Sequence, residues 1–96
     1  MQWESNFWID LPKFHGSLSL EDFVDYLSTV ERVFEYYEVL EVKKTKLVGI
    51  KLRGRALAWW EQVQVHRLRR GKPTVQAWEK MKKKLSAQFL PYNYTQ

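Results

Sequence analysis

Glu31, Glu35, Glu38 and Glu41 recur at spacings of four, three and three, and Arg67, Arg69, Arg70 and Lys72 crowd together further along the chain. Carboxylates at helical spacing share one solvent face, where a plain charged surface is far commoner than a catalytic pair of acids. A second basic run, Lys80, Lys82, Lys83 and Lys84, lies nearer the C-terminus. Clustered Lys and Arg either pair with carboxylates on a partner or hold phosphates in a sequence-independent, salt-sensitive way. Lys82 to Lys84 point in successive directions round a helix, so they cannot all follow one nucleic-acid backbone. RNA is therefore expected more as an accessory contact than as the domain's main ligand. The chemistry these residues suggest is ion pairing between surfaces.

Covalent catalysis finds little support in the same inventory. The chain has no Cys, and its two histidines, His15 and His66, stand far apart, one in an expected turn and one near a helix end among arginines. A nucleophile needs a base within hydrogen-bond reach and a third group to orient that base, and no such trio is in view. Gly16, Gly49, Gly54 and Gly71 are isolated, so there is no glycine-rich phosphate loop. The expectation is a non-enzyme with no cofactor and no metal.

The charge is segregated along the chain. Residues 1–42 carry nine acids against two bases, a net of −7, and residues 43–96 carry fourteen bases against Glu61 and Glu79, a net of +12. If the halves fold onto different faces, identical molecules attract head to tail. Ninety-six residues suit one domain with its own core. Five Trp, five Tyr and five Phe argue against intrinsic disorder. The absence of Cys fits a reducing compartment, and a cytoplasmic location is expected. No uncharged run approaches the roughly 20 residues of a membrane span, and no secretory signal is evident.

The elements that must position these charges are helical. Ser19 is placed to cap a helix over 20–37, with Glu21 and Asp22 in its first turn and Phe23, Leu27, Val30, Phe34 and Tyr37 as its buried stripe. A second helix is expected over 42–52, burying Leu47 and Ile50 with Val48 as a further candidate, and Gly54 ends it where a positive φ is needed. A third runs over 55–68 with Ala56, Trp59, Trp60 and Val63 inward, and Gly71 stops it. Thr74 is read as the cap of a fourth helix reaching 89, which buries Val75, Trp78, Met81, Leu85 and Phe89 before Pro91 blocks it. Before the first helix, residues 1–17 form an extended aromatic arm and turn, with a short strand expected near Phe7 to Asp10. Trp3, Phe7, Trp8, Leu11 and Phe14 exceed what exposed surface tolerates. The arm therefore packs across the bundle, or fills a groove between helices in cis or from a neighbour.

Three ordered stretches carry a resemblance. Phe14-His15-Gly16 followed by Glu21-Asp22-Phe23, Tyr26-Leu27 and Thr29 to Phe34 resembles the opening of the Gag domain of gypsy-class LTR retrotransposons, especially plant elements. Leu52-Arg53-Gly54-Arg55-Ala56-Leu57-Ala58-Trp59 is similar to that family's central signature of Leu, Gly, Ala and Trp, and Val75 to Lys82 with Phe89-Leu90-Pro91 resembles its last helix. The resemblance spans about residues 9–92 and departs at Tyr26, where many relatives carry Trp. It implies an all-α capsid lobe that multimerises into a particle shell around RNA. It also implies fold-forming roles for Phe14, Gly16, Phe23, Leu27, Phe34, Leu52, Gly54, Ala56, Trp59, Trp78 and Phe89. The family's zinc knuckle, protease and polymerase are not in this sequence.

The sequence thus predicts a compact bundle of about four helices over 18–92 with an extended N-terminal arm and a tail at 93–96. Its expected role is self-association as a virus-like-particle subunit. Assembly is expected to match Glu31, Glu35, Glu38 and Glu41 with Arg67, Arg69, Arg70, Lys80, Lys83 and Lys84. The alternatives are a host-captured Gag domain that binds partner peptides in a hydrophobic groove, and a basic nucleic-acid-binding helical domain.

Overall fold

A stripe at alternating spacings of three and four, opened by a serine, produces the first helix. The computed structural model describes residues 9–90 and contains α1 (Leu20–Tyr36), α2 (Glu41–Gly49), α3 (Gly54–Arg69) and α4 (Trp78–Phe89), with no named strand among the described residues. Trp3, Phe7, Trp8, Pro91 and the 93–96 tail lie outside them. Ser19 Oγ accepts the Asp22 N–H at 3.2 Å, and Glu21 and Asp22 occupy the first turn, where the helix dipole favours negative charge. Phe23, Val30 and Phe34 are buried as the stripe requires, and Tyr26 joins them. Tyr37 does not: it is the C-cap, and its side chain is about half exposed.

Three boundaries differ from the sequence expectation. α2 stops at Gly49, so Ile50 falls in the cap and is 64% exposed while Val48 is fully buried. Gly54 carries the expected positive φ, +56°, but opens α3 rather than closing α2. Thr74 caps nothing; residues 72–77 are non-helical, and α4 begins at Trp78 after Ala77. A local cap loses here to tertiary bonds. The Val75 N–H donates to Gln64 Oε1 at 2.9 Å and the Val75 side chain is buried, which holds this segment off the helical path.

The described part of the arm packs in cis. Phe14 forms an isolated parallel bridge with Leu52, its N–H donating to the Lys51 carbonyl at 3.0 Å and its carbonyl accepting from the Arg53 N–H at 2.9 Å. Ile9, Leu11 and Phe14 are buried in the core, and Lys51 reaches Asp10 at 3.4 Å. Ile9 and Asp10 form no strand. The turn that follows needs glycine for two reasons. Gly16 has φ +89°, and a Cβ there would lie 2.9 Å from Phe89 Cε1 and 3.1 Å from Arg55 Cγ. Arg55 clamps the turn by donating to the Gly16 carbonyl from Nε and Nη2, at 3.1 and 2.8 Å.

The core is an aromatic cluster around Phe14, continued by Val48, Leu52, Ala56, Met81 and Leu85. Leu27, Trp59 and Phe89 pack against it half-buried. Tyr26 stacks on Phe14 with ring centres 5.0 Å apart, yet its hydroxyl is buried without a hydrogen-bond partner among the described residues. Burial pushes the Tyr26 phenol well above its ordinary pKa. An unpartnered buried hydroxyl costs about 1–3 kcal/mol. Tyr26→Phe is therefore expected to raise the unfolding free energy by about 1 kcal/mol. Urea denaturation measures it, and a destabilised variant would show that the hydroxyl is satisfied.

Candidate functional site

The four carboxylates expected on one acidic face divide into two pairs. α1 ends at Tyr36 and the chain turns at Glu38, whose φ is +52°, so Glu41 belongs to α2 and the helical spacing is broken. Glu31 and Glu41 work inside the molecule. Glu31 Oε2 accepts from Trp78 Nε1 at 3.2 Å and from Lys82 Nζ at 2.6 Å, which ties α1 to α4. Glu41 Oε2 accepts the Trp78 N–H at 3.0 Å, and Oε1 lies 3.2 Å from Lys44 Nζ. Glu41 thereby caps α4 from 37 residues away, the role the sequence assigned to Thr74.

Glu35 and Glu38 remain exposed, with no ion-pair partner among the described residues. They border a groove of about 580 Å³ beside the end of α1, floored by Phe34 and Trp78 and edged by Glu31, Glu79 and Lys44. Phe34 and Trp78 meet edge to face at 5.4 Å, so the floor is a rigid aromatic pair. Tyr36, Tyr37 and Leu40, all exposed, stand on the adjoining turn.

The basic residues also sort by role. Arg67 Nε donates to the Pro73 carbonyl at 2.8 Å and fixes the turn after α3. Arg69, Arg70 and Lys72 are exposed, with Arg70 Nη1 3.3 Å from His66 Nε2. On α4, Lys80 and Lys83 are exposed and Lys84 is half-buried. Lys82 is the lysine of that run that the fold uses, reaching Glu79 at 3.2 Å as well as Glu31. No group of three or more potential metal ligands exists among the described residues, and no helix there is long and apolar enough to cross a membrane. His15 and His66 are both exposed.

The carboxylate ties predict an acid-sensitive fold. Burial alone would push the Glu31 carboxyl up, but hydrogen bonds from Lys82 and Trp78, with the Lys82 and Lys44 charges, outweigh it and hold the group below the usual carboxylate range. Glu41 is lowered first by the Trp78 N–H and then by Lys44, against burial. Lys82 is raised, chiefly by its bond to Glu31. Depressed carboxylates stabilise the fold above their unfolded pKa, and that stability is lost as pH falls through the folded value. A raised lysine stabilises below its unfolded pKa, and the gain is lost as pH rises through the folded value. Thermal stability should therefore plateau between about pH 5 and pH 10. The double variant Glu31→Gln, Glu41→Gln should flatten the acid limb; melting curves across pH check this, and an unchanged limb would contradict it.

Sequence reasoning singled out Glu35, Glu38, Arg69 and Arg70 by their charge, and the structure leaves all four exposed. It missed Lys82 and Gln64 as structural donor and acceptor, because the Lys82–Glu31 and Gln64–Val75 bonds join distant segments and no local spacing encodes them. Lys44 is missed too, since its i,i+3 pair with Glu41 is hidden when Glu41 is read with the acidic face of the first helix. It also missed the exposed apolar turn at Tyr36, Tyr37 and Leu40, of which Tyr37 reads as core by its place in the stripe.

With this geometry in place, comparison with known proteins gives one result. Residues 9–90 match the family model described as retrotransposon-derived protein PEG10, N-terminal capsid-like domain. Neither the curated proteins nor the solved structures gave a match.

Proposed function

The chain belongs to the family of retrotransposon-derived N-terminal capsid-like domains, and from that premise we propose that it is a non-enzymatic structural subunit that self-associates into a particle shell. The observation that carries the reading is that charges of both signs stay exposed in the folded chain. Glu35 and Glu38, and Arg69, Arg70 and Lys72, are exposed and enter no ion pair among the described residues. Exposed ion pairs are worth about 0–1 kcal/mol each, so such contacts are weak singly and accumulate over a lattice. The enclosed cargo is RNA, touched in an accessory way by the basic residues, and the particle is cytoplasmic.

One observation favours a second reading, capture of an extended partner segment. A groove of about 510 Å³ between α2, α3 and residues 72–77 is lined by exposed Ile50, half-buried Leu57 and the edges of the buried Trp60 and Val75. The two readings part under the electron microscope. Concentrated protein at low salt, with and without RNA, should form curved or closed assemblies in negative stain. Dispersed single molecules under both conditions would contradict the shell and leave peptide capture as the better account.

A further inference from the structure

Two features of the surface bear on assembly, and the first works against the stability of the fold that carries it. The first is the end of α1. Its last turn holds Glu35 and no basic residue, and Glu38 follows directly, so both carboxylates sit at the negative end of the helix dipole. Glu38 also occupies the left-handed position of the helix-ending motif. The Val39 N–H donates to the Phe34 carbonyl at 3.0 Å and the Glu38 N–H to the Glu35 carbonyl at 3.2 Å, the pattern that ordinarily places glycine there. A glutamate at φ +52° is strained. Charge and backbone both speak against an acid at this site, and both acids border the aromatic-floored groove.

The second is the end of α3. From Val65 to Pro73 every residue but Arg67 is exposed, including Leu68 at 59%. This tip is nevertheless rigid. Gly71 at φ +74° closes the helix, with the Lys72 N–H on the Arg67 carbonyl at 2.9 Å and the Gly71 N–H on the Leu68 carbonyl at 3.0 Å, and Arg67 holds Pro73. A preordered tip gives up little conformational freedom when it docks.

We propose that the α3 tip of one copy seats in the α1-end groove of the next, with Arg69, Arg70 and Lys72 meeting Glu35 and Glu38, and Leu68 meeting the exposed Tyr36, Tyr37 and Leu40. This rests on the self-association reading and specifies its contact. Charge complementarity identifies the occupant as a second copy, since the same chain carries an acidic groove with an apolar margin and a basic tip with an apolar side. The two patches differ, so the contact is heterologous: it builds rings where the rotation closes and open chains where it does not.

A heterologous contact between unlike charges can be tested by exchange. The Glu35→Lys, Glu38→Lys variant has a basic groove and a basic tip, and the Arg69→Glu, Arg70→Glu variant has an acidic groove and an acidic tip. Sedimentation velocity should show that each alone needs at least about tenfold more protein than the parent to associate. An equimolar mixture should associate again, because each tip then finds a groove of opposite charge. Glu38→Gly should raise the melting temperature while weakening association, a pairing that a merely structural role cannot give. Variants that each lose association and fail to recover on mixing would overturn the proposal. Self-association that survives both reversals would overturn this contact and leave the capsid reading standing. A parent chain that stays monomeric at every concentration would overturn both.

Discussion

Phe14→Ala is expected to lower the unfolding free energy by about 3–5 kcal/mol, the range for removing a buried phenylalanine from a packed core. Phe14 is 1% exposed and touches three rings: Phe23 at 5.5 Å, Tyr26 stacked at 5.0 Å, and Phe89 edge-on at 5.0 Å. The two backbone bonds to Lys51 and Arg53 survive the substitution, so the loss reports the ring. Domains have roughly 5–15 kcal/mol of total stability, and this change removes a large share of it. The midpoint of urea unfolding should fall with the slope unchanged. A loss below about 1 kcal/mol would mean that the residue before the first helix is a decoration on the bundle and not its centre.

Trp78→Ala should cost a similar amount, about 3–5 kcal/mol, for a different set of reasons. Its ring is 2% exposed and lies edge-on to Phe34, and its Nε1 donates to Glu31. It is also the first residue of α4, with its N–H capped by Glu41. Trp78→Phe separates these contributions in part, because it keeps one ring and the cap while removing the Nε1 bond and some of the indole's buried volume. That variant should lose about 1–2 kcal/mol, since the partly exposed Glu31 carboxylate keeps Lys82 and gains water. Equal losses for the two variants would mean that the ring Phe retains contributes nothing, and would contradict the packing account.

What the sequence made legible was local. The α1 stripe, the Ser19 cap and the four-helix order follow from period and capping chemistry within a few residues, and the structure shows them at those positions. Most of the misses are long-range. Thr74 is a good cap by type, but Val75 is drawn to Gln64 and Trp78 to Glu41, and those partners stand 11 and 37 residues away. Glu31 and Glu41 look like surface charges by spacing, and only the packing of α4 turns them into structural ties. Tyr37 and Ile50 continue an apolar period past the point where their helices stop, so they lie outside the core. The charge split was visible from composition; which charges stay exposed was not, because that depends on which helix faces which.

The central claim is that exposed acids and bases of one copy meet those of another. Light-scattering mass after size exclusion, over a concentration series at low and high salt, tests it directly, since exposed charges are screened within about 10 Å at 0.1 M salt and less above it. The predicted result is a mass that rises with concentration at low salt and returns to the 11.6 kDa monomer at high salt. A monomer at every concentration and salt would contradict it.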